Sequence, residues 1–161
     1  MAKTDLPMLE QRRIEANIIK PIYEEMKERL GVEKAQEILG AAVIRNSIEQ
    51  GRAYAEGLED RGLLAFRDTM AQWKASGALE MDELEATEER VHFNVTRCKY
   101  SEMYREMGVG DIGHLLSCNR DGTFCTGFNQ AIKLERTQTI MSGASHCDFR
   151  YSIEKSDDQS G

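Results

Sequence analysis

Residues 131–153, AIKLERTQTIMSGASHCDFRYSI, alternate in polarity over 131–140 and again over 146–153. A period of two is the mark of a β-strand with one buried face. Ser142, Gly143, Ala144 and Ser145 between them read as the joining loop. Side chains two apart share a face. Ile132, Leu134, Arg136, Gln138 and Ile140 therefore line one face of the first strand, and Cys147, Phe149, Tyr151 and Ile153 one face of the second. Upstream, residues 83–87 and 91–97 alternate too, with Val91, Phe93, Val95 and Arg97 on one side. Glu88, Glu89 and Arg90 separate the two runs, which predicts a hairpin.

The period changes N-terminal to this region. Residues 8 to about 76 follow helical spacing. Ile14, Ile18, Ile19, Ile22, Tyr23, Met26 and Leu30 form the first stripe, interrupted by Pro21, which kinks the run or marks a first turn, and stopped at Gly31. Ala35, Ile38, Leu39, Ala42, Val43, Ser47 and Ile48 form the second, which serves either as core or as a subunit interface in a homo-oligomer. Gly62 to Ser76 makes a third helix carrying Leu64, Phe66, Met70 and Trp73. Tyr100 to Met107 is a short helix, and the glycine-rich stretch 108–128 reads as turns around short helical pieces. The fold class is α+β: an N-terminal layer of about three helices on a mainly antiparallel four-stranded sheet built by the C-terminal half. The length of 161 residues suits one domain, helical over 8–76 and sheet-forming, with the chemistry, over 83–153. Glu154 to Gly161 is polar and expected to fray.

A net charge of −7 argues against nucleic acid or an anionic membrane as partner. No apolar run approaches the roughly 20 residues that span a bilayer, and Met1 to Asp5 leads into a charged helix rather than a signal core. The expected location is cytoplasmic, where Cys98, Cys118, Cys125 and Cys147 would be reduced thiols. Their spacings of 20, 7 and 22 contain no CxxC pair, so no closed zinc site is indicated. No metal or other cofactor is expected. Glycine-rich phosphate loops, GxSxG elbows and HExxH pairs are absent from the sequence.

The apolar strand faces carry the candidate chemistry. An arginine on a core face is costly unless paired. Arg136 and Arg97 are each either members of an ion pair, or of a strand end reaching solvent, or a cationic seat for a substrate carboxylate. Cys147 is either a small buried apolar residue or a nucleophile whose thiol is activated by a neighbouring arginine. Tyr151 shares its face and joins the substrate-binding candidates. His146 and Asp148 flank Cys147 and suggest a Cys-His-Asp set, but strand period points them to the opposite face unless a bulge intervenes. In Ser117 to Asp121, Cys118 is a second candidate nucleophile, Asp121 a candidate base, and Asn119 a candidate donor to developing charge; the alternative is a turn built on Asn and Asp. A metal site from Cys118, Cys147 and His114 is the weaker alternative.

Several stretches resemble the L-2-amino-thiazoline-4-carboxylic acid hydrolase family: NVTRCKYSEMYREMG (94–108), LLSCNRD (115–121), GFN (127–129) and IKLERTQTIMSGASHCDFRY (132–151). The resemblance covers about residues 90–155. It implies hydrolytic opening of a five-membered ring holding nitrogen and sulfur, with a carboxylate and an isothiourea-like carbon. Water, or a thiolate followed by water, attacks that carbon, and the ring C–S bond breaks to give N-carbamoyl-L-cysteine. The residues match this chemistry with Cys147 as first and Cys118 as second choice of nucleophile, Asp121 as base or orienting carboxylate, and Arg136 with Arg97 for the carboxylate. The same scaffold acting on another small ring, or only binding one, is the alternative.

Overall fold

Alternation along the C-terminal half does produce a sheet. In the computed structural model, which describes residues 5–154, four strands pair in the order β1-β2-β4-β3, every pair antiparallel. They are β1 (Leu79–Ala86), β2 (Arg90–Cys98), β3 (Ile132–Glu135) and β4 (Cys147–Ile153). The opening residues and the tail beyond Glu154, expected to fray, lie outside the described residues. Across the central pair, Val91 faces Tyr151, Phe93 faces Phe149 and Val95 faces Cys147. All six are buried, so the apolar faces of β2 and β4 point inward as their period requires. Phe93 and Phe149 stack with ring centres 4.8 Å apart.

Two departures in the sheet matter for the site. First, Glu80 pairs with Arg97 but Met81 pairs with Val95, so Thr96 is an extra residue in β2. A bulge of this kind reverses the parity of everything beyond it. Arg97 consequently turns out of the sheet while Cys98 turns in. Second, β3 ends at Glu135 instead of running to 140. The backbone N–H groups of Thr137 and Gln138 donate to the Asp148 carboxylate rather than to a neighbouring strand, and a 3₁₀ turn follows at Ile140–Ser142.

Among the described residues, five helices are longer than a single turn where about three are expected: α1 (Met8–Leu30), α2 (Val32–Glu56), α3 (Leu63–Thr69), α5 (Lys99–Glu106) and α6 (Asn119–Phe128), with a one-turn α4 (Ala71–Lys74). The helical layer is therefore not N-terminal alone. The stretch 108–128, expected as turns around short helical pieces, forms a π-helical turn (His114–Cys118) leading into the ten-residue α6. Gly127 serves contact: a Cβ there would lie 2.0 Å from the Ile48 carbonyl oxygen, and one at Gly51 would lie 2.1 Å from the Phe124 carbonyl oxygen. Helices α2 and α6 thus cross backbone to backbone, each through a glycine. The run 62–76 splits at Met70, which caps α3, and the chain then turns sharply through Ser76 at φ 60°.

Helix α1 runs through Pro21 unbroken. It buries Arg12, Ala16 and Tyr23, whereas Ile14, Ile18 and Ile22 of the expected stripe face outward. Of the expected α2 stripe, Ala35, Leu39, Val43 and Ser47 are buried as core, whereas Ile38 and Ala42 face outward and Ile48 is partly covered. Two apolar clusters result. One joins the sheet to α3 and α6, and the other joins α1, α2 and α5. No helix among the described residues is long and apolar enough to cross a membrane.

Candidate active site

Where the two clusters meet, a cavity of about 100 Å³ opens. A single water needs roughly 10–15 Å³ of such space, so the cavity holds several waters or one small ring. Its apolar walls are Phe93, Val95 and Phe149 from the sheet and Phe66, Trp73 and Phe124 from the helices. The wall also carries three arginines (Arg12, Arg120, Arg136), Asp121, Ser117 and three cysteines (Cys98, Cys118, Cys147).

The geometry brings most of the sequence candidates together. Arg136 leaves the end of β3 and donates through Nη1 to Asp121 Oδ2 at 2.6 Å and through Nη2 to the Cys118 carbonyl at 3.2 Å. Its guanidinium also lies over the Phe149 ring, 5.0 Å from the centre. Burial lowers the preference of Arg136 for its charge, but Asp121 more than restores it, and the net direction is upward. Asp121 is the partner on the first turns of α6. Burial pushes its carboxyl up, against the pull of Arg136. Tyr151 reaches from β4 and donates to the Asp121 carbonyl oxygen at 3.0 Å, which fixes this turn of α6 against the sheet.

The thiols differ in surroundings. Burial raises all of those in the wall. Cys118, in the π-helical turn, is pushed to about 12, with Asp121 adding to the effect of burial. Cys147 is raised by burial too, but its Sγ accepts the backbone N–H of Ile140 at 3.2 Å, an interaction that favours thiolate.

Other candidates stand elsewhere. Arg97 is half exposed and pairs with Glu102 at 3.0 Å and Glu80 at 3.7 Å, so the bulge at Thr96 removes it from the cavity. Asp148 sits on the opposite face of β4 from Cys147. Its carboxylate takes the N–H groups of Thr137 and Gln138 and the Thr137 hydroxyl. Exposure to burial would raise its carboxyl, but these donors outweigh that and lower it. His146 faces away likewise, against Ser145 and Gln138, so no Cys-His-Asp set forms. Asn119 turns toward Gly40 of α2 and is not part of the cavity wall. Among the described residues no group of three His, Cys, Asp or Glu side chains is placed to hold a metal ion, and His114 is exposed.

Sequence reasoning did not single out Arg12 and Arg120. Arg12 is 4% exposed and donates through Nη1 to both oxygens of Glu15, at 2.8 and 2.9 Å. Arg120 is 8% exposed; its Nε donates to the Leu116 carbonyl at 2.8 Å and its Nη1 to Gln50 at 3.1 Å and Asn46 at 3.3 Å. Burial, helped by Arg12, lowers Arg120 to about 10. One signal was available: Arg12 precedes Ala16 and Tyr23 on the row that α1 buries.

With this geometry in place, a family model for L-2-amino-thiazoline-4-carboxylic acid hydrolase matches residues 11–151. The chain belongs to this family. The match spans every wall residue named above, including the two arginines that sequence reading passed over. No curated protein matches this family member by sequence. Among solved structures, it is similar to the phenol-responsive sensory domain of the transcription activator PoxR, crystallised with phenol. The TM-score is 0.53 at 11% identity, over 84% of this chain and 73% of that one, a likeness of fold alone.

Proposed function

We propose that this family member is a hydrolase that opens a small carboxylated heterocycle, with L-2-amino-thiazoline-4-carboxylate as the first substrate to test. One observation carries the reading: the Asp121 carboxylate and the Cys147 thiol face the same small, largely apolar cavity. Burial raises the basicity of Asp121, which suits a proton acceptor working near neutral pH. Cys147 has the backbone donor that favours its anion, which makes it the better nucleophile of the two.

In this reading Asp121 takes the thiol proton and Cys147 Sγ attacks the ring carbon between nitrogen and sulfur. The ring C–S bond breaks, and the departing sulfur collects a proton. Water then attacks the adduct and releases N-carbamoyl-L-cysteine and free Cys147. Net, one water is consumed and no electrons change hands. Loss of ring absorbance by purified wild type, beside Cys147→Ser and Cys118→Ser, tests the assignment. Cys147→Ser is expected to lose at least about 100-fold in kcat, and Cys118→Ser much less. The reverse order would move the nucleophile to Cys118.

A second reading is a small-molecule-binding module without turnover. The similarity of fold to a sensory domain crystallised with phenol favours it, as does the aromatic character of the cavity. Saturable binding of the ring with no product formed would select it.

A further inference from the structure

Counting charge around the cavity exposes an imbalance. Arg136 and Asp121 form a close pair at 2.6 Å and cancel. Arg12 and Arg120 share one carboxylate, Glu15, which Arg12 holds with two short bonds and Arg120 Nη2 only approaches, at 3.9 Å. Three guanidinium groups against two carboxylates leave one positive charge. That excess sits on two side chains about nine-tenths or more buried. An uncompensated buried charge is strongly unfavourable. The Leu116 carbonyl takes Arg120 Nε, and Asn46 and Gln50 of α2 take its Nη1, but none of these explains the second cation.

We infer that Arg12 and Arg120 form an anion seat in the cavity wall, which takes the carboxylate of a small ring. The ring's carboxylate meets the excess positive charge at that place. Arg136 is unsuited to this task, since an incoming carboxylate there would meet Asp121, a like charge. Ser117 lies in the same wall and shares a hydrogen bond of 2.7 Å with Tyr104, so its hydroxyl is held in place beside the seat. Asp121 and Cys147 line the same cavity in which a ring anchored at Arg12 and Arg120 would sit. The inference rests on the hydrolase reading for the identity of the ring, not for the presence of the seat.

The test compares binding of two probes to the full chain by calorimetry: L-2-amino-thiazoline-4-carboxylate, and 2-aminothiazoline, which lacks the carboxylate. Charge-assisted hydrogen bonds to a buried guanidinium correspond to roughly 10- to 100-fold in affinity. Wild type is expected to prefer the carboxylate ring by about 30-fold, within that span. Arg120→Gln and Arg12→Gln should each reduce the preference to about 3-fold or less, and Arg12→Lys should recover part of it. Thermal melts identify folded variants. Should Arg120→Gln fail to fold, the Arg12 pair alone decides. A wild type without preference for the carboxylate ring overturns the proposal, as does an unchanged preference in the folded glutamine variants. Preference without turnover would defeat the hydrolase reading and leave the seat standing. Turnover with a preference insensitive to Arg12 and Arg120 would do the opposite.

Discussion

Asp121 is held between two opposed influences, and its titration reports both. Burial raises its carboxyl while Arg136 lowers it, and burial prevails. If Asp121 is the base, as proposed, it must be ionised, so activity would fall as pH drops through its folded pKa, which burial raises above the ordinary value. Removing the cation in Arg136→Gln should shift that acid limb further upward, read from pH–rate profiles of the two proteins. An unmoved limb would separate Asp121 from the titrating base. Asp148 behaves in the opposite way. Its folded carboxyl is lowered by Thr137 and Gln138, so the stability it contributes is present above the unfolded pKa and fades as pH falls through the folded one. Asp148→Asn should destabilise by about 1 kcal/mol at neutral pH and converge on wild type in acid, with catalysis retained. Thermal melts at two pH values check this. Arg97 makes a contrasting control. Its partners are surface carboxylates outside the cavity, so Arg97→Ala should leave KM for the ring unchanged. A raised KM would return Arg97 to the site.

At the level of elements, period was the most legible signal. The inward faces of β2 and β4 follow from alternation alone, because burying one face of a strand leaves a pattern of two in any sequence. What period does not reveal is a change of parity. Nothing in VTRC (95–98) marks Thr96 as the extra residue, since the bulge depends on how β1 pairs across from it. Arg97 and Cys98 were therefore exchanged between faces. The end of β3 was hidden for a related reason: its hydrogen-bond partner is a side chain of β4, not a strand. Arg12 and Arg120 were passed over because an arginine on a helix or in a turn normally lies in solvent. Only the tertiary contacts of α1, α2 and α6 bury them. The glycine crossing of α2 and α6 is testable at this scale. Gly51→Ala or Gly127→Ala places a methyl against a carbonyl that neither helix can withdraw. Each should destabilise by about 3 kcal/mol, measured by denaturant unfolding. A loss below about 0.5 kcal/mol would show that the helices separate easily.

For the molecule as a whole, the cavity occupies the meeting line of two apolar clusters, and each cluster supplies part of its chemistry. The sheet brings Cys147 and the approach to Arg136. The π-helical turn and α6 bring Cys118, Arg120 and Asp121, and α1 brings Arg12. The N-terminal helices, which carry no sharp motif, are thus part of the site and not merely its cover. The measurement that tests the central claim most directly is product formation: N-carbamoyl-L-cysteine released from L-2-amino-thiazoline-4-carboxylate by wild type and by Asp121→Asn, each shown to be folded and to bind the ring. The account predicts turnover by wild type and a loss of at least about 100-fold in kcat for Asp121→Asn. A folded wild type that binds the ring and releases no product would contradict it.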